Sequence, residues 1–474
     1  MYKTLCVVAV MTMPWGLAAQ SSRVFRAGAA TSNITPPIGS PIVGGWNDPP
    51  STHVHDELHA RALVLDDGST KLAIVLCDNV GIARVVFDEA KRMIQEKTGI
   101  PPENMLMAAT HTHSASNARG NRHILGGPLD DYQRFLTMRI RDAVFRAVNQ
   151  LEPARIGWGV GANDKQVFNR RWKMKEGSKE LRNPFGGVDR VRMNPPANHP
   201  DLIEPAGPTD PSIHFLSVQS TSGRPIALLA NYSLHYVGGV RGGDISADYF
   251  GVFAEEIRKL FGAERQDPPF VGILSNGTSG NINNINFRPD PQAKRYKPYE
   301  KMRIVANEVA AEVFKVYQTV DHKEWVPLAS AQRELMLGIR VPAADEFAWA
   351  EQTQKSPPKF HQHEEVYARR VLAMKDWPRE IPLILQALRI GDVGIAAIPN
   401  EVFVEIGLDI RKRSPLKPTF TIELANGSYG YLPTPEQHKV GGYETWRGTN
   451  LLEVNASPKI ADAVVGLLEK VSGR

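Results

Sequence analysis

Strand-like and helix-like runs alternate along most of the chain, and this alternation limits the possible folds more than any other feature. Short apolar runs predict strands at residues 62–65, 72–77, 105–109, 226–231, 270–274, 384–390, 393–398 and 420–424. Amphipathic runs predict helices at residues 85–97, 131–150, 247–261, 299–320, 402–413 and 459–471. Strands interleaved with helices are typical of an α/β fold with a largely buried sheet. We therefore expect a mixed β-sheet core flanked by helices.

Two irregular stretches interrupt this pattern. Residues 165–199 are predicted to be a loop, and residues 165–192 within it hold nine Lys or Arg against three acidic residues, a local net charge of +6. Residues 346–377 form a polar, helix-prone insertion that contains Pro357 and Pro358. The sequence has no internal repeat and no clear linker. Residues 24–474 are therefore predicted to form one large domain with insertions near these two stretches.

The first 19 residues have the pattern of a cleavable secretory signal. Lys3 precedes an apolar run at residues 5–13, and small residues stand before a cleavage point near Gln20. The apolar run is too short to span a membrane. The mature protein is therefore expected to be exported, either secreted or periplasmic.

Composition narrows the kinds of site that the chain can build. The two cysteines, Cys6 and Cys77, are too few for a disulfide framework or a cysteine-based metal site, so a metal would need His, Asp, Glu or Tyr ligands. Cys77 lies in an apolar run and is interpreted as a buried strand residue. The net charge of +5 over 474 residues is too small to indicate a nucleic-acid-binding protein.

Residues with metal-binding side chains follow four of the predicted strands. In α/β folds, sites form where strands end and loops begin. Zinc accepts nitrogen and oxygen ligands, and a catalytic zinc site keeps one position open. Each residue alone has an ordinary structural explanation, but their shared placement predicts a metal site. The residues after the runs at 105–109, 226–231, 393–398 and 420–424 include His111, His235, Glu401 and Tyr431.

Several of these segments also share a pattern with known enzymes. The most distinctive is Ala-Thr-His-Thr-His-Ser at residues 109–114. Further matching segments lie at residues 28–37, 55–62, 77–78, 225–248, 391–401 and 426–444. Together they resemble the N-terminal catalytic domain of the neutral/alkaline, non-lysosomal ceramidases. The resemblance extends in patches from about Phe25 to Thr445 and implies the fold of that domain.

The resemblance also implies roles for individual residues. His113 stands beside the metal, and Arg170 follows Asn169 as in a family segment that places a substrate-site arginine. Arg170 is thus a candidate for stabilising a developing oxyanion, although it is equally compatible with a solvated basic loop. The implied Zn2+ ligands are His111, His235, Glu401 and Tyr431.

The sequence departs from the family at several positions. Asn283 stands where the family has a serine, and Ser279 is nearby but out of register. Asn283 can polarise a carbonyl or bind a hydroxyl, but it cannot act as a nucleophile; the alternative is a turn-rich Asn/Gly loop. Residues 115–118 replace the family's Gly-Pro-Gly-Gly. The chain is also expected to lack the family's C-terminal β-sandwich domain.

The preferred hypothesis is an exported zinc hydrolase that cleaves an amide (N-acyl) bond with a metal-activated water. In this hypothesis His113 relays a proton, while Arg170 and Tyr431 stabilise the oxyanion. A small-molecule or lipid-like substrate is expected, with no nucleic acid and at most transient contact with a membrane surface. The sequence leaves the oligomeric state open.

Two alternatives remain at this point. The first keeps the zinc but assigns a different, anionic or carbohydrate-derived substrate, since the basic residues 165–192 with Trp172 and Phe185 can line a binding site. The second is a non-catalytic binding protein on a degenerate hydrolase scaffold. Retention of all the ligand types argues against the second alternative.

Overall fold

The computed structural model describes residues 23–120, 126–356 and 360–473, and within them the predicted strands assemble mainly into two sheets. The predicted signal sequence with Cys6 lies outside the described residues, as do Pro357 and Pro358 of the insertion. No helix of the described part has the length and apolar character needed to cross a bilayer.

The larger sheet has eight strands within the described residues and mixes two kinds of pairing. The outermost pair at each edge is parallel, and the inner pairs are antiparallel. In spatial order the strands are Val271–Asn276, Pro225–Tyr232, Ser212–Ser220, Glu152–Ala162, Arg26–Asn33, His59–Asp66, Lys71–Cys77 and Met105–Ala109.

The second sheet packs against one face of the larger sheet. Its strands, in spatial order, are Leu328–Gly338, Glu380–Ile390, Val393–Ile398 and Thr419–Glu423, the last pair being parallel. Short two-stranded pairs connect the surrounding loops. They join Ile42–Val43 to Ala115–Ser116, His53–Val54 to Asp244–Ile245, Phe168–Asn169 to Ile282–Asn283, and Glu401–Val402 to Tyr431–Leu432.

Both faces of the larger sheet are buried over much of its area, which explains why strands such as Lys71–Cys77 and Met105–Ala109 read as continuous apolar runs. Along one strand Ile74 and Leu76 contribute to the core shared with the second sheet, whereas Val75 and Cys77 face the helices on the other side. Cys77 is buried and free, as its sequence context predicted. Side chains alternate between faces along a strand, so one run supplies two cores.

Helices cover the two outer faces of this pair of sheets. Helices α1 and α2 cover one half of the larger sheet, α3 and α4 cover the other half, and α7 and α9 cover the second sheet. The predicted mixed sheet flanked by helices is thereby confirmed. The helices are α1 (Arg84–Thr98), α2 (Asp131–Asn149), α3 (Asp248–Leu260), α4 (Glu300–Tyr317), α5 (Ala344–Thr353), α6 (Glu364–Ala373), α7 (Val404–Arg413), α8 (Pro435–Val440) and α9 (Ala456–Ser472).

The stretch at residues 165–199 was predicted to be a loop, and this is wrong for part of it. Arg171–Met174 is the central strand of a small three-stranded sheet, between Val191–Met193 and Leu202–Pro205. Trp172 is buried in a small apolar cluster and contacts Phe287, so it does not line an open site. Of the two basic residues of this strand, Lys173 is exposed, whereas Arg171 is fully buried.

Candidate metal centre

The candidate metal centre lies where strand ends of the two sheets meet. His111 and His235 follow strands of the larger sheet, and Glu401 follows a strand of the second sheet. Backbone hydrogen bonds hold the sheets together at this edge: the Asn426 amide donates to the Met107 carbonyl at 2.7 Å. Residues far apart in the chain are thus brought to one place.

Glu401 and Tyr431 are positioned by the short parallel pair that follows the second sheet. The two residues lie directly opposite each other in its register. The Tyr431 hydroxyl donates a hydrogen bond to the Glu401 carboxylate, and both side chains are buried. The backbone pairing therefore fixes the two oxygen-bearing side chains together.

Three imidazoles converge on the same point. The Nε2 atoms of His111 and His235 are 3.0 Å apart, and those of His113 and His111 are 3.1 Å apart. Within the described residues, this is the group of His, Cys and acidic side chains whose spacing suits a metal ion. The structure thus places His113 as close to the centre as the two predicted histidine ligands.

Backbone carbonyls fix the orientation of all three rings. Nδ1 of His111 lies 2.6 Å from the Val80 carbonyl oxygen, and Nδ1 of His235 lies 3.2 Å from that of Ser279. His113 makes the equivalent hydrogen bond to the backbone of Gly44. If each Nδ1 donates its proton, each Nε2 is left with a lone pair directed inward, which is the usual arrangement of metal-binding histidines.

Glu401 adds an oxygen to this group. Its Oε2 atom lies 3.3 Å from His111 Nε2 and 4.0 Å from His235 Nε2, and it is buried without a hydrogen-bond partner. Lone pairs that converge in a buried space repel one another, so the arrangement can hold a cation. Nitrogen and oxygen donors at this spacing fit a divalent metal ion.

The backbone at His111 is strained. Its φ of 78° lies in the left-handed region, which a residue with a side chain rarely adopts. The His111 amide donates to the Asn79 carbonyl at 2.8 Å, so the surrounding structure holds this conformation. Strain of this kind, about 1–3 kcal/mol, is typical of functional sites.

Arg170 lies next to Tyr431 and is buried, so it is not a solvated loop residue. Its Nε atom donates to Glu444 at 3.0 Å and its Nη2 atom to the Gly280 carbonyl at 2.8 Å. The guanidinium also hydrogen-bonds the Tyr431 side chain. Arg171 donates to the other Glu444 oxygen at 2.6 Å, so two arginines share this carboxylate.

The charges of the site influence one another. Burial alone would raise the pKa of Glu401, but His111, Tyr431 and Arg170 outweigh it and lower that pKa. Burial alone would lower the pKa of Arg170, but Tyr431 and Glu444 outweigh it and raise that pKa. Burial holds the pKa of His235 well below its usual range, with His111 adding to the effect. The carboxylate and guanidinium are therefore charged at neutral pH.

Asn283 was predicted to be a catalytic residue, and the structure does not bring it into this group. Its side chain donates to Asn194 at 2.7 Å and accepts from the Ile285 amide at 2.9 Å. Ser279 lies behind His235, where its hydroxyl donates to Glu423 at 2.8 Å. Both residues therefore have structural partners in the described part of the chain.

Other residues at the site were not singled out from the sequence. The Tyr236 ring stacks on His113 with centroids 3.8 Å apart. Glu423 is fully buried, and besides Ser279 it accepts from the Val402 amide at 2.8 Å, beside Glu401. Tyr236 directly follows His235, so its place in the chain was a usable signal, whereas Glu423 is the last residue of its strand and gave no such signal.

Comparisons with known proteins agree with this architecture. Neither a family model nor a curated protein sequence matches the chain. Among solved structures, it is similar to a neutral ceramidase from Pseudomonas aeruginosa, with 18% identity and a TM-score of 0.66 over 95% of this chain and 74% of that one. A ceramidase complexed with C2 is similar at 17% identity and a TM-score of 0.69, over 95% of this chain and 76% of that one.

The structure thus defines an α/β protein with a buried group of histidines that can hold a metal. More particularly, its fold is that of the neutral ceramidases. The fold implied by the sequence motifs is therefore confirmed.

Proposed function

We propose that the protein is an exported, zinc-dependent hydrolase that cleaves an amide (N-acyl) bond. The observation that carries this proposal is the convergence of three imidazole Nε2 atoms and the unpaired Glu401 Oε2 atom in a buried site. Together with the nearby Tyr431 phenol, this donor set suits zinc better than Mg2+ or Ca2+, which favour oxygen ligands. The fold shared with ceramidases supports the reaction class.

Different residues of the site have different roles in the proposed reaction. When bound, zinc supplies a Lewis acid and lowers the pKa of water at the site. His113 is the partly exposed member of the three histidines, so we assign it proton transfer to a leaving amine and leave the metal to His111, His235, Glu401 and Tyr431. Arg170 and Tyr431 lie side by side and can stabilise negative charge on the carbonyl oxygen of the scissile bond.

The substrate class and the location of the protein are part of the proposal. The first 19 residues support export to the periplasm or the exterior. A small-molecule or lipid-like N-acyl compound fits the reaction, with at most transient contact with a membrane surface. A different, anionic or carbohydrate-derived substrate is the second candidate, and the stacked rings of Trp46 and His363 favour a carbohydrate.

Metal analysis and hydrolysis assays together test the proposal. We expect about one zinc ion per purified chain, loss of hydrolysis on chelation and recovery on adding Zn2+. The substrates are a short-chain fluorescent ceramide and a panel of other N-acyl compounds, including N-acyl amino sugars. A metal-free protein, or a zinc-loaded protein that hydrolyses none of them, contradicts the proposal; the latter result favours a binding protein.

A further inference from the structure

A row of aromatic rings leads outward from the candidate metal centre. Tyr431 meets Tyr443 edge-on at 5.7 Å between centroids, and Tyr443 meets Trp46 edge-on at 5.8 Å. Trp46 in turn stacks on His363, with centroids 3.6 Å apart and an interplanar angle of 9°. Exposure rises from 7% at Tyr431 to 43% at Trp46. The row therefore connects the buried centre to the surface.

Two distant parts of the chain build the outer end of this row. Trp46 lies two residues after Gly44, whose backbone hydrogen-bonds His113 of the metal centre. His363 immediately precedes α6, in the insertion at residues 346–377. The insertion thus covers part of the Trp46 ring and holds it, while the exposed remainder is free to stack on a ligand.

The charges around the stacked pair restrict what it can bind. Burial lowers the pKa of His361 to about 4, with His363 and Arg192 adding to the effect. Burial also lowers the pKa of His363, with Arg192 and Arg370 adding to it. Both imidazoles are therefore neutral at neutral pH, beside two arginines. Aromatic clusters often bind organic cations, but Arg192 outweighs the nearby Glu364 in its effect on His361, and the two arginines oppose a cationic ligand.

The polar surroundings also disfavour a plain hydrocarbon chain. His361 and Gln362 flank the stacked pair, and the Gln362 amide lies 3.1 Å from His363 Nε2. An acyl chain gains nothing from such polar neighbours, and their own hydrogen bonds with water would be lost. A ring with an apolar face and a polar edge can contact Trp46 and the polar neighbours together. A sugar ring has this shape.

We propose that Trp46 and His363 form a stacking subsite for a sugar ring of the substrate, outside the metal centre. The inference rests on the proposed function for the reaction itself, because it names a glycan with N-acyl groups as the class of substrate. The aromatic row separates the subsite from Tyr431 by two ring-to-ring contacts of 5.7 and 5.8 Å. The substrate would therefore be longer than a monosaccharide.

Equilibrium binding tests the subsite. The mature, zinc-loaded protein is titrated with the trisaccharide of N-acetylglucosamine and, separately, with N-octanoylethanolamine, an amide that lacks a sugar. We expect Trp46→Ala to weaken trisaccharide binding about tenfold or more and to leave binding of the octanoyl amide unchanged. Trp46→Phe should retain most of the affinity, and His363→Ala should have an intermediate effect. Calorimetry measures all variants, because it does not depend on the tryptophan signal.

Met138→Ala is the matched control. Met138 is 43% exposed, like Trp46, but lies on α2, and its variant should bind the trisaccharide as the unaltered protein does. The subsite is overturned if the unaltered protein does not bind the trisaccharide, if Trp46→Ala binds it equally well, or if only the octanoyl amide loses affinity. Trp46-dependent binding in a protein that hydrolyses no amide supports the subsite and contradicts the proposed reaction.

Discussion

Two buried carboxylates near Arg170 differ in whether all their oxygens are paired. This difference separates a structural residue from a candidate metal ligand. Glu444 is fully buried, and Arg170 and Arg171 each donate to one of its oxygens. Glu401 is buried as well, but its Oε2 atom has no hydrogen-bond partner and faces the imidazole Nε2 atoms. Burial alone therefore does not mark the site. What distinguishes Glu401 is a buried carboxylate oxygen that has no hydrogen-bond partner and faces the imidazole nitrogens.

The largest effect is expected at the unpaired carboxylate and its histidine neighbour. His111→Ala and Glu401→Gln should each lose the metal and lower kcat/KM by about a thousandfold or more, because the metal-binding donors are incomplete. Metal content and hydrolysis of the best N-acyl substrate measure this. A variant that stays active without bound metal would show that the unpaired Glu401 oxygen has a role other than metal binding.

The paired carboxylate should instead control stability. Glu444→Gln leaves Arg170 and Arg171 buried without their counter-charge and should lower the free energy of unfolding by about 3–5 kcal/mol. Urea denaturation of the metal-free protein measures it. Glu401→Gln, the matched change, should cost the metal-free protein less free energy of unfolding, since the Glu401 Oε2 atom has no hydrogen-bond partner to lose. Equal losses in the free energy of unfolding for the two variants would contradict the different roles assigned to the two carboxylates.

Lys91 is a third buried ionisable residue. Unlike the Glu401 Oε2 atom it has a hydrogen-bond partner, but unlike that of Glu444 this partner is neutral. It is 3% exposed, and its Nζ atom donates to the neutral Asn426 side chain at 2.7 Å. Burial lowers its pKa to about 8 from the usual 10.5.

Between these two pH values the unfolded chain therefore binds a proton that the folded chain does not, so stability attributable to Lys91 should rise with pH. Relative to Lys91→Met, the unaltered protein should gain on the order of 3 kcal/mol from pH 8 to 10.5. Urea denaturation at several pH values measures the difference. Parallel curves for the two proteins would contradict it.

The smallest effect is expected at Asn283. Because its side chain bonds Asn194 and Ile285 rather than the metal centre, Asn283→Ala should change kcat/KM by about threefold at most, with metal content unchanged. Steady-state kinetics with the zinc-loaded variant measures it. A loss of kcat/KM of about a hundredfold would indicate that Asn283 acts in catalysis. It would then have to move toward the metal centre when substrate binds.

Much of the fold could be predicted because its sheets are buried on both faces. Runs such as the strand that ends at Cys77 are apolar throughout, so they stand out against their surroundings. The strand at Arg171–Met174 was missed, because its lysine and arginine residues resemble those of a loop, although Arg171 is fully buried in the structure. Hydrophobic pattern is informative only where apolar side chains account for the burial.

The candidate site could be predicted in its residue types but not in its contacts. Position after a strand identified His111 and Glu401, and the structure brings both into one group. The same reasoning gave no role to Trp46, which contacts His363 more than three hundred residues away. It also could not show that Arg170 is buried and paired with Glu444.

The sequence by itself determined the alternation of strands and helices and the polar residues at the strand ends, because these depend on local periodicity and on neighbours in the chain. Only the tertiary structure decided which of those residues meet, which buried atoms are already paired and which remain available. Those outcomes depend on contacts between distant segments. Glu401 and Glu444 show the reason: the residue type is the same, and only the surrounding donors distinguish them.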